Sequence, residues 1–253
     1  MCRDWSAVLV TVAALVAGAC SIEAQSSGVD GTFDRMVQIA SPADVRVTSR
    51  SGSIRVTTGA SDQVHITARI RAFGSFVYSA SEQVRRIESA PPIRREGNSV
   101  WICEISDPML SSNVSISYVV TVPADARLRT SSRSGSQIIE SLRGSVEATS
   151  RSGGIRLDDV KGPVRLGSRS GDVTVDGDPS GEWEIETRSG DVTLTVPSTA
   201  SFDVEVETRS GSIRTSPAIE STGDPRRQGF RGRVGGGGAA IFVGTRSGSI
   251  SIE

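Results

Sequence analysis

The chain has 253 residues, a formal net charge of -1, and is 36% hydrophobic but only 4% aromatic. That length allows a sizeable core, which has to be built from Val, Ile, Leu, Ala and Thr, a β composition. A near-neutral balance without a cluster of base-stacking aromatics excludes nucleic acid as a general partner.

At the N-terminus, Met1, Cys2, Arg3 and Asp4 precede an apolar run from Ala7 to Ala19 broken only by Thr11. A run of about 13 residues is too short for a bilayer core of ~30 Å and suits the hydrophobic region of an export signal, so residues 1–24 are set apart as a signal peptide. Two cleavage readings stand. Val16-Ala17-Gly18-Ala19-Cys20 resembles a bacterial lipobox, in which Cys20 is the lipid attachment residue; Ser21 behind it carries no inner-membrane retention cue. Ala17-Gly18-Ala19, or Ile22-Glu23-Ala24 before Gln25, suits ordinary signal peptidase equally well. Either way the chain is expected to be exported to the periplasm, outer membrane or cell surface. Cys103 is left without a partner, so no disulfide framework is expected. Within Val100-Trp101-Ile102-Cys103-Glu104-Ile105 it reads as a small buried hydrophobe in a strand.

Residues 33–125 form an irregular β part. Ser79 to Ser89 predicts a short helix over 81–89, capped by Ser and ended before Pro91-Pro92. Strands follow around Ile93, from Ser99 to Ile105 and from Val114 to Val122. Residues 126–253 are regular, and 33–253 read as one continuous domain.

The regularity rests on a tripeptide, Arg-Ser-Gly, which occurs seven times, at Arg50, Arg133, Arg151, Arg169, Arg188, Arg209 and Arg246, with middle steps of 18, 18, 19 and 21 residues. A period near 20 marks stacked supersecondary units. Five residues before each Arg stand Val45, Leu128, Val146, Val164, Trp183, Val204 and Ile241; three before stand Val47, Thr130, Ala148, Leu166, Ile185, Val206 and Val243. The intervening residues are charged apart from Phe242, so each unit holds a half-buried strand. Ile54, Ile155, Val173, Val192, Ile213 and Ile250 begin a second one after the glycine. Gln137 departs from this column and reads as a bulge. Gly52, Gly135, Gly153, Gly171, Gly190, Gly211 and Gly248 are the structural turn residues, because glycine takes positive φ without steric cost. The Ser or Thr before each Arg points inward, where stacked hydroxyls can satisfy one another and the turn backbone. The expected fold is all-β, a β-solenoid of two stacked parallel sheets; the alternative is an antiparallel meander of hairpins turning at Ser-Gly. Residues 216–238, with Pro217, Pro225, Arg226, Arg227, Arg231, Arg233 and four consecutive glycines, are expected to be a mobile loop between the last two units.

The run Val114-Ser-Ile-Ser-Tyr-Val-Val-Thr-Val-Pro-Ala-Asp-Ala126, the serial Ser-Gly-Asp/Ser-Val/Ile units, and the linkers Leu142-Arg-Gly-Ser-Val146 and Val160-Lys-Gly-Pro-Val164 resemble the bacterial DUF4097 family, adhesin-like exported β-strand repeat proteins. The resemblance covers roughly Phe33 to Glu253. It implies an exported β-repeat domain and carries over no catalytic residue.

Chemistry has few places to reside. The single His, His65, lies between inward Val64 and Ile66 and so points to solvent; no catalytic residue is assigned. No metal site or cofactor is expected, since His/Cys clusters are absent and Asp172, Asp176 and Asp178 lack the spacing of a calcium loop. Asp158, Asp159, Glu184, Glu186, Glu205 and Glu207 supply acids for a polysaccharide-active enzyme, yet no spacing makes two of them converge. The arginines form a row if the units stack. Either Glu186, Glu207, Asp172 and Asp191 neutralise it, or Arg133, Arg151, Arg169, Arg188, Arg209 and Arg246 are a ladder for an anionic envelope polysaccharide, with Phe242 and the segment Arg226 to Arg233 in the same contact. Three functions follow: a non-catalytic envelope module for adhesion or binding, a structural or sensory component with another envelope protein as partner, and a polysaccharide-active enzyme. Membrane contact is expected only through a lipid anchor.

The export reading predicts a mature chain starting at Cys20 or Gln25, acylation of Cys20 marking the lipoprotein. N-terminal mass spectrometry of envelope-associated protein decides between them, and an intact Met1 refutes processing.

Overall fold

Alternation of buried and exposed residues gives each repeat two strands, one on either side of the Ser-Gly corner. The computed structural model describes residues 28–216, 219–222 and 229–253; the expected signal peptide, with Cys20, lies outside the described residues. The irregular part contains β1 (Val29–Gln38), β2 (Asp44–Ser51), β3 (Ile54–Gly59), β4 (Gln63–Ala72), α1 (Ala80–Ser89), β5 (Ile93–Glu96), β6 (Ser99–Ile102), α2 (Pro108–Ser111) and β7 (Val114–Pro123). The regular part follows with β8 (Arg127–Ser134), β9 (Gln137–Glu140), β10 (Val146–Ser152), β11 (Ile155–Val160), β12 (Val164–Ser170), β13 (Val173–Gly177), β14 (Trp183–Ser189), β15 (Val192–Thr195), β16 (Phe202–Ser210) and β17 (Ile213–Thr215). The chain closes with β18 (Glu220–Thr222), β19 (Gly229–Val234), β20 (Ala239–Ser247) and β21 (Ile250–Ile252).

Two sheets face each other across the core. One has ten strands in the order β1-β4-β7-β3-β9-β11-β13-β15-β21-β17; the other has eleven, in the order β18-β19-β16-β20-β14-β12-β10-β8-β2-β6-β5. Each repeat places its first strand in the larger sheet and its second in the smaller, and repeats pair with one another in parallel. The fold is a β-solenoid. The hairpin alternative fails because the two strands of a repeat lie in different sheets. Antiparallel pairing is found at the ends, where β1, β4 and β7 extend one sheet, and β5 at one end and β18 and β19 at the other extend the second.

Stacking is in register. Val45, Leu128, Val146, Val164, Trp183, Ile241 and Val204 form one buried column, and Val47, Thr130, Ala148, Leu166, Ile185, Val243 and Val206 the next. Burying a Val, Leu or Ile side chain stabilises by roughly 1.5–3 kcal/mol, and a unit obtains this only with a neighbour on each face. At the corners the seven turn glycines have φ from 112° to 156°. The ladder runs straight through them, the N–H of Gly135, Gly153, Gly171 and Gly190 donating to Ser152, Ser170, Ser189 and Ser247 of the next unit. A Cβ on Gly153 would sit 2.3 Å from the Gly135 carbonyl oxygen, so the corners nest only without side chains.

Stacking order departs from chain order at the last unit. β20 lies between β14 and β16, and β21 between β15 and β17. The chain lays down the Arg209 unit, runs out along β18 and β19, and returns to insert the Arg246 unit beneath it. Residues 216–238, expected as a loop, thus include two strands, β19 pairing antiparallel with β16. Alternating Phe230 and Val234 bury against the core and give β19 its strand character.

Gln137 makes no bulge. It is fully buried, in register with Ile54 and Ile155. Its amide nitrogen donates to Ser132 Oγ at 3.0 Å and to the Thr149 carbonyl at 2.6 Å, and its oxygen accepts from Thr130 Oγ1. A buried amide costs little when its groups are bonded. The register shift falls elsewhere, between Leu157 and Val160.

In the N-terminal part β6 and β7 form an irregular unit, parallel to β2 and β3, with α2 in the place of the corner. Asp107 caps α2, accepting from the N–H of Met109 and Leu110, and Pro108 suits the first turn; this helix was not expected from the pattern. α1 begins one residue before the expected span, with Ser79 accepting from the Glu82 N–H. It covers edge strand β1, where Glu88 accepts from the Thr32 N–H at 2.8 Å, a protection against edge pairing. β6 ends at Ile102, so Cys103 lies beyond the strand and is half-exposed rather than buried. Its N–H donates to the Pro92 carbonyl.

The inward hydroxyls serve mainly the turn backbone. Ser150 Oγ donates to the Gly153 carbonyl at 2.9 Å and Thr208 Oγ1 to that of Gly248 at 3.1 Å, whereas Ser168 Oγ and Thr187 Oγ1 are buried without a partner. Ser150→Ala should therefore cost about 1 kcal/mol in denaturant unfolding, and Ser168→Ala nothing or a slight gain. Ile185→Asp, which places a charge in the core column, should cost about 3 kcal/mol or more. Equal losses for the two serines contradict the assigned bonds.

Candidate functional site

In-register stacking decides where the outward charges go. Four residues before the tripeptide the outer column reads, in stacking order, Arg46, Arg129, Glu147, Arg165, Glu184, Phe242, Glu205 and, on β19, Arg231. Opposite charges fall side by side and pair: Arg129 with Glu147 at 3.1 Å, Arg165 with Glu184 at 2.7 Å, Arg231 with Glu205 at 2.6 Å. Next to them Arg233 binds Asp203 at 2.8 Å, and with the Gly238 N–H it holds that carboxyl below its usual range.

The tripeptide arginines behave differently. Arg50, Arg133, Arg151, Arg169, Arg188, Arg246 and Arg209 stand in that order along one exposed edge, separated by the ~4.8 Å strand spacing. Arg50 reaches Glu104 at 3.4 Å; among the described residues none of the other six has an ion-pair partner. The acids expected to neutralise the row are occupied or apart. Asp172 accepts from the Asp191 N–H at 2.9 Å, and Asp191 from the Ser249 N–H at 2.7 Å, so both clip one corner to the next. Glu186 and Glu207 rise from the column two residues before the arginines, Gly244 lying between them.

Beside the row runs an open groove of about 1050 Å³. It is lined by Arg169, Arg188, Arg246 and Arg209 of the row, by Glu186, Glu205 and Glu207, by Gly167 and Gly244, and by Phe230 and Arg231 of β19. A Cβ at Gly244 would lie 3.1 Å from the Phe242 ring, so the glycine lets that half-exposed ring recline over the strand. A further hollow of about 820 Å³ continues past Phe242 toward Arg233. The two glycines were legible in the outward column Thr48, Ser131, Thr149, Gly167, Glu186, Gly244, Glu207, where they interrupt polar side chains. Their place beside Phe242 was not, because it depends on the inserted unit.

The other candidate groups do not assemble. His65 Nε2 lies 2.7 Å from Asp34 Oδ2 on the outer face of β4 and β1, and hydrogen bonds from His65 and Thr67 hold the Asp34 carboxyl below its usual range. Asp158 and Asp159 pair with Arg156 and Arg143, both at 2.9 Å. Asp178 lies 3.8 Å from Lys161 while Asp172 serves as a clip, and among the described residues no group of three His, Cys, Asp or Glu can hold a metal. Cys103 borders a small cavity with Ser49, Ile116 and Tyr118; burial pushes the Tyr118 hydroxyl pKa far up. No helix among the described residues is long and apolar enough to cross a membrane.

A family model described as Toastrack DUF4097 matches residues 109–253. Among solved structures the chain is similar to a putative cell adhesion protein from Clostridium sporogenes, at 13% identity and TM-score 0.48, over 88% of this chain and 99% of that one. It is also similar to a putative adhesin from Bacteroides fragilis, at 8% identity and TM-score 0.29, and to a putative lipid binding protein from Parabacteroides distasonis, at 12% and 0.30, each over 88% of this chain and 97% of the other. No curated protein matches the chain.

An unpaired row of like charges repels itself in weak electrolyte. Replacing Arg169, Arg188, Arg246 and Arg209 together by Gln should leave Tm at low salt unchanged or raise it, the gain vanishing near ~0.5 M salt, where screening is short-ranged. A lowered Tm shows instead that these arginines hold the corners together.

Proposed function

The chain belongs to the DUF4097 Toastrack family, and from that scaffold and its charge layout we propose that it is a non-catalytic binding module of the cell envelope whose arginine edge and adjoining groove hold an extended anionic polymer, an acidic polysaccharide. The observation that carries the reading is the contrast between two outward-facing columns of the same sheet. The charges four residues before the tripeptide are paired at 2.6–3.1 Å, whereas among the described residues six arginines of the tripeptide row form no ion pair. Guanidinium groups bind carboxylate and phosphate through paired N–H donors, and a periodic row matches a periodic ligand. Each exposed contact contributes only ~0.5–1 kcal/mol. Four made by one polymer chain amount to a gain on the order of 30- to 1000-fold, because the later contacts are intramolecular.

Binding is favoured over turnover by the placement of the acids. Glycoside cleavage needs two carboxyls on opposite sides of the bond to be broken. Glu186 and Glu207 are both exposed and rise from the same face of one sheet, kept apart by the strand that carries Gly244. The apolar run Ala7–Ala19 supports delivery of the module to the envelope.

The test is retention of the mature protein on immobilised polygalacturonate. The variant with Arg169, Arg188, Arg246 and Arg209 replaced by Gln should bind at least ~30-fold more weakly, and the parent should elute as salt rises toward ~0.5 M. Polymer length, followed by size-exclusion chromatography, should not change. Equal retention of parent and variant overturns the proposal, and shortening of the polymer overturns its non-catalytic half.

A further inference from the structure

At the end of the molecule away from the groove, the turn between β4 and α1 presents apolar side chains to solvent. Phe76 is fully exposed, at 103% of its reference area, with Val77 at 58%, Phe73 at 49% and, on α2, Met109 at 48%. Isolated exposed hydrophobes are ordinary, but a contiguous group on a rigid projection is not.

This projection is rigid for identifiable reasons. Gln83 of α1 is fully buried and ties both segments together: its Oε1 accepts from the Gly74 N–H at 3.1 Å, and its Nε2 donates to the carbonyls of Leu110 at 3.1 Å and Ser112 at 2.8 Å. Asn113 adds a bond from Nδ2 to the Gly74 carbonyl at 3.1 Å, and its own carbonyl accepts from the Phe73 N–H. Ser75 closes the tip, its N–H donating to the Tyr78 carbonyl and its Oγ accepting from the Tyr78 N–H, so Phe76 and Val77 stand at the apex. Two nearby arginines are paired within the protein, Arg71 with Asp30 at 2.9 Å and Arg86 with Glu82 at 2.8 Å, and Asp107 is hydrogen-bonded as the cap of α2. These bonds hold the turn in place before any partner arrives, and the side chains it presents at the apex are apolar, which an apolar medium accepts at no polar cost.

We propose that Phe73, Phe76, Val77 and Met109 form a membrane-seating tip that enters the headgroup and acyl boundary of a lipid surface and fixes the orientation of the solenoid on it. Two observations favour a bilayer over a protein. The tip consists of a few exposed side chains, whereas a stable protein interface buries ~800 Å² on each partner in complementary packing. A fluid lipid surface needs no matching shape. The second is the path of the chain. Gly28 lies against the Phe73 ring, where a Cβ would be 2.8 Å from the ring edge, and Val29 pairs with Ala72. The apolar run ending at Ala19, and Cys20 after it, are therefore separated from this tip by fewer than ten residues, which span at most ~30 Å. A membrane holding that segment is within reach of Phe76.

The experiment uses the mature protein isolated from a bacterial host and vesicles of phosphatidylethanolamine and phosphatidylglycerol, 3:1. Phe76→Trp provides a depth probe, read as the emission difference from the parent. Vesicles should shift it about 10 nm to the blue, lipids brominated on the acyl chains should quench it, and both effects should persist in ~0.5 M salt, which separates this contact from arginine-edge binding. Phe76→Ser with Val77→Ser should lower the vesicle-bound fraction about tenfold, as expected for losing roughly half the burial of each side chain, with an unchanged melting curve because both are exposed. An unshifted, unquenched probe overturns the proposal even where an N-terminal anchor keeps the protein on the vesicle. So does conversion of a lipid-free dimer to monomer by the double serine variant, which makes the tip a contact between copies of the chain.

Discussion

Every corner of the solenoid depends on one close approach, the passage of a glycine over the backbone of the corner beneath it. The glycine Cα must come so near the neighbouring carbonyl that a Cβ would stand 2.3 Å from it at Gly135, Gly153 and Gly190. Positive φ at the same residues sends the chain from one sheet into the other. With the corners nested, strands on both sides fall into register and the inward columns become continuous. The same nesting puts the residue two before each glycine on the outer edge, so the arginine row is a by-product of how the corners stack.

Parallel stacking leaves open edges, and the two ends handle them differently. At the N-terminal end antiparallel strands β4 and β1 extend the smaller sheet, and α1 lies over the last of them, Glu88 occupying a free edge N–H. At the other end β19 and β18 turn back along β16. The smaller sheet ends there in β17, only three residues long, and short edge strands offer little to a foreign strand.

The proposed function rests on what this scaffold leaves unsatisfied. Along the outer face the charges cancel in pairs. At the corners Asp172 and Asp191 bond to backbone N–H groups and form no ion pair with the arginines. The insertion of the Arg246 unit adds Phe242 between Glu184 and Glu205 and Gly244 between Glu186 and Glu207, where the groove lies. The apolar tip lies beyond the opposite end of the stack, so a protein seated by it would hold the groove away from the membrane.

The repeat length, inward columns, glycine corners, Ser79-capped helix and alignment of the seven arginines were all legible in the sequence, because each is set by residues within one unit or in contact along the chain. Gln137 shows where that reading stops. Its polarity at a core position suggested a bulge, and only the arrival of Thr130, Ser132 and the Thr149 backbone around it shows that the amide is satisfied in place. Cys103 likewise read as strand core until the chain was seen to leave β6 after Ile102. The order of the last two units, the strand character of β19, the lack of ion pairs at six of the seven corner arginines among the described residues and the bonds from Gln83 to both segments of the apolar tip were decided by tertiary structure alone. The physical reason is that equivalent repeats offer equivalent faces. Val204, Val206 and Thr208 carry the same inward pattern as Ile241, Val243 and Thr245, so nothing within either unit says which of them stacks on Trp183, Ile185 and Thr187.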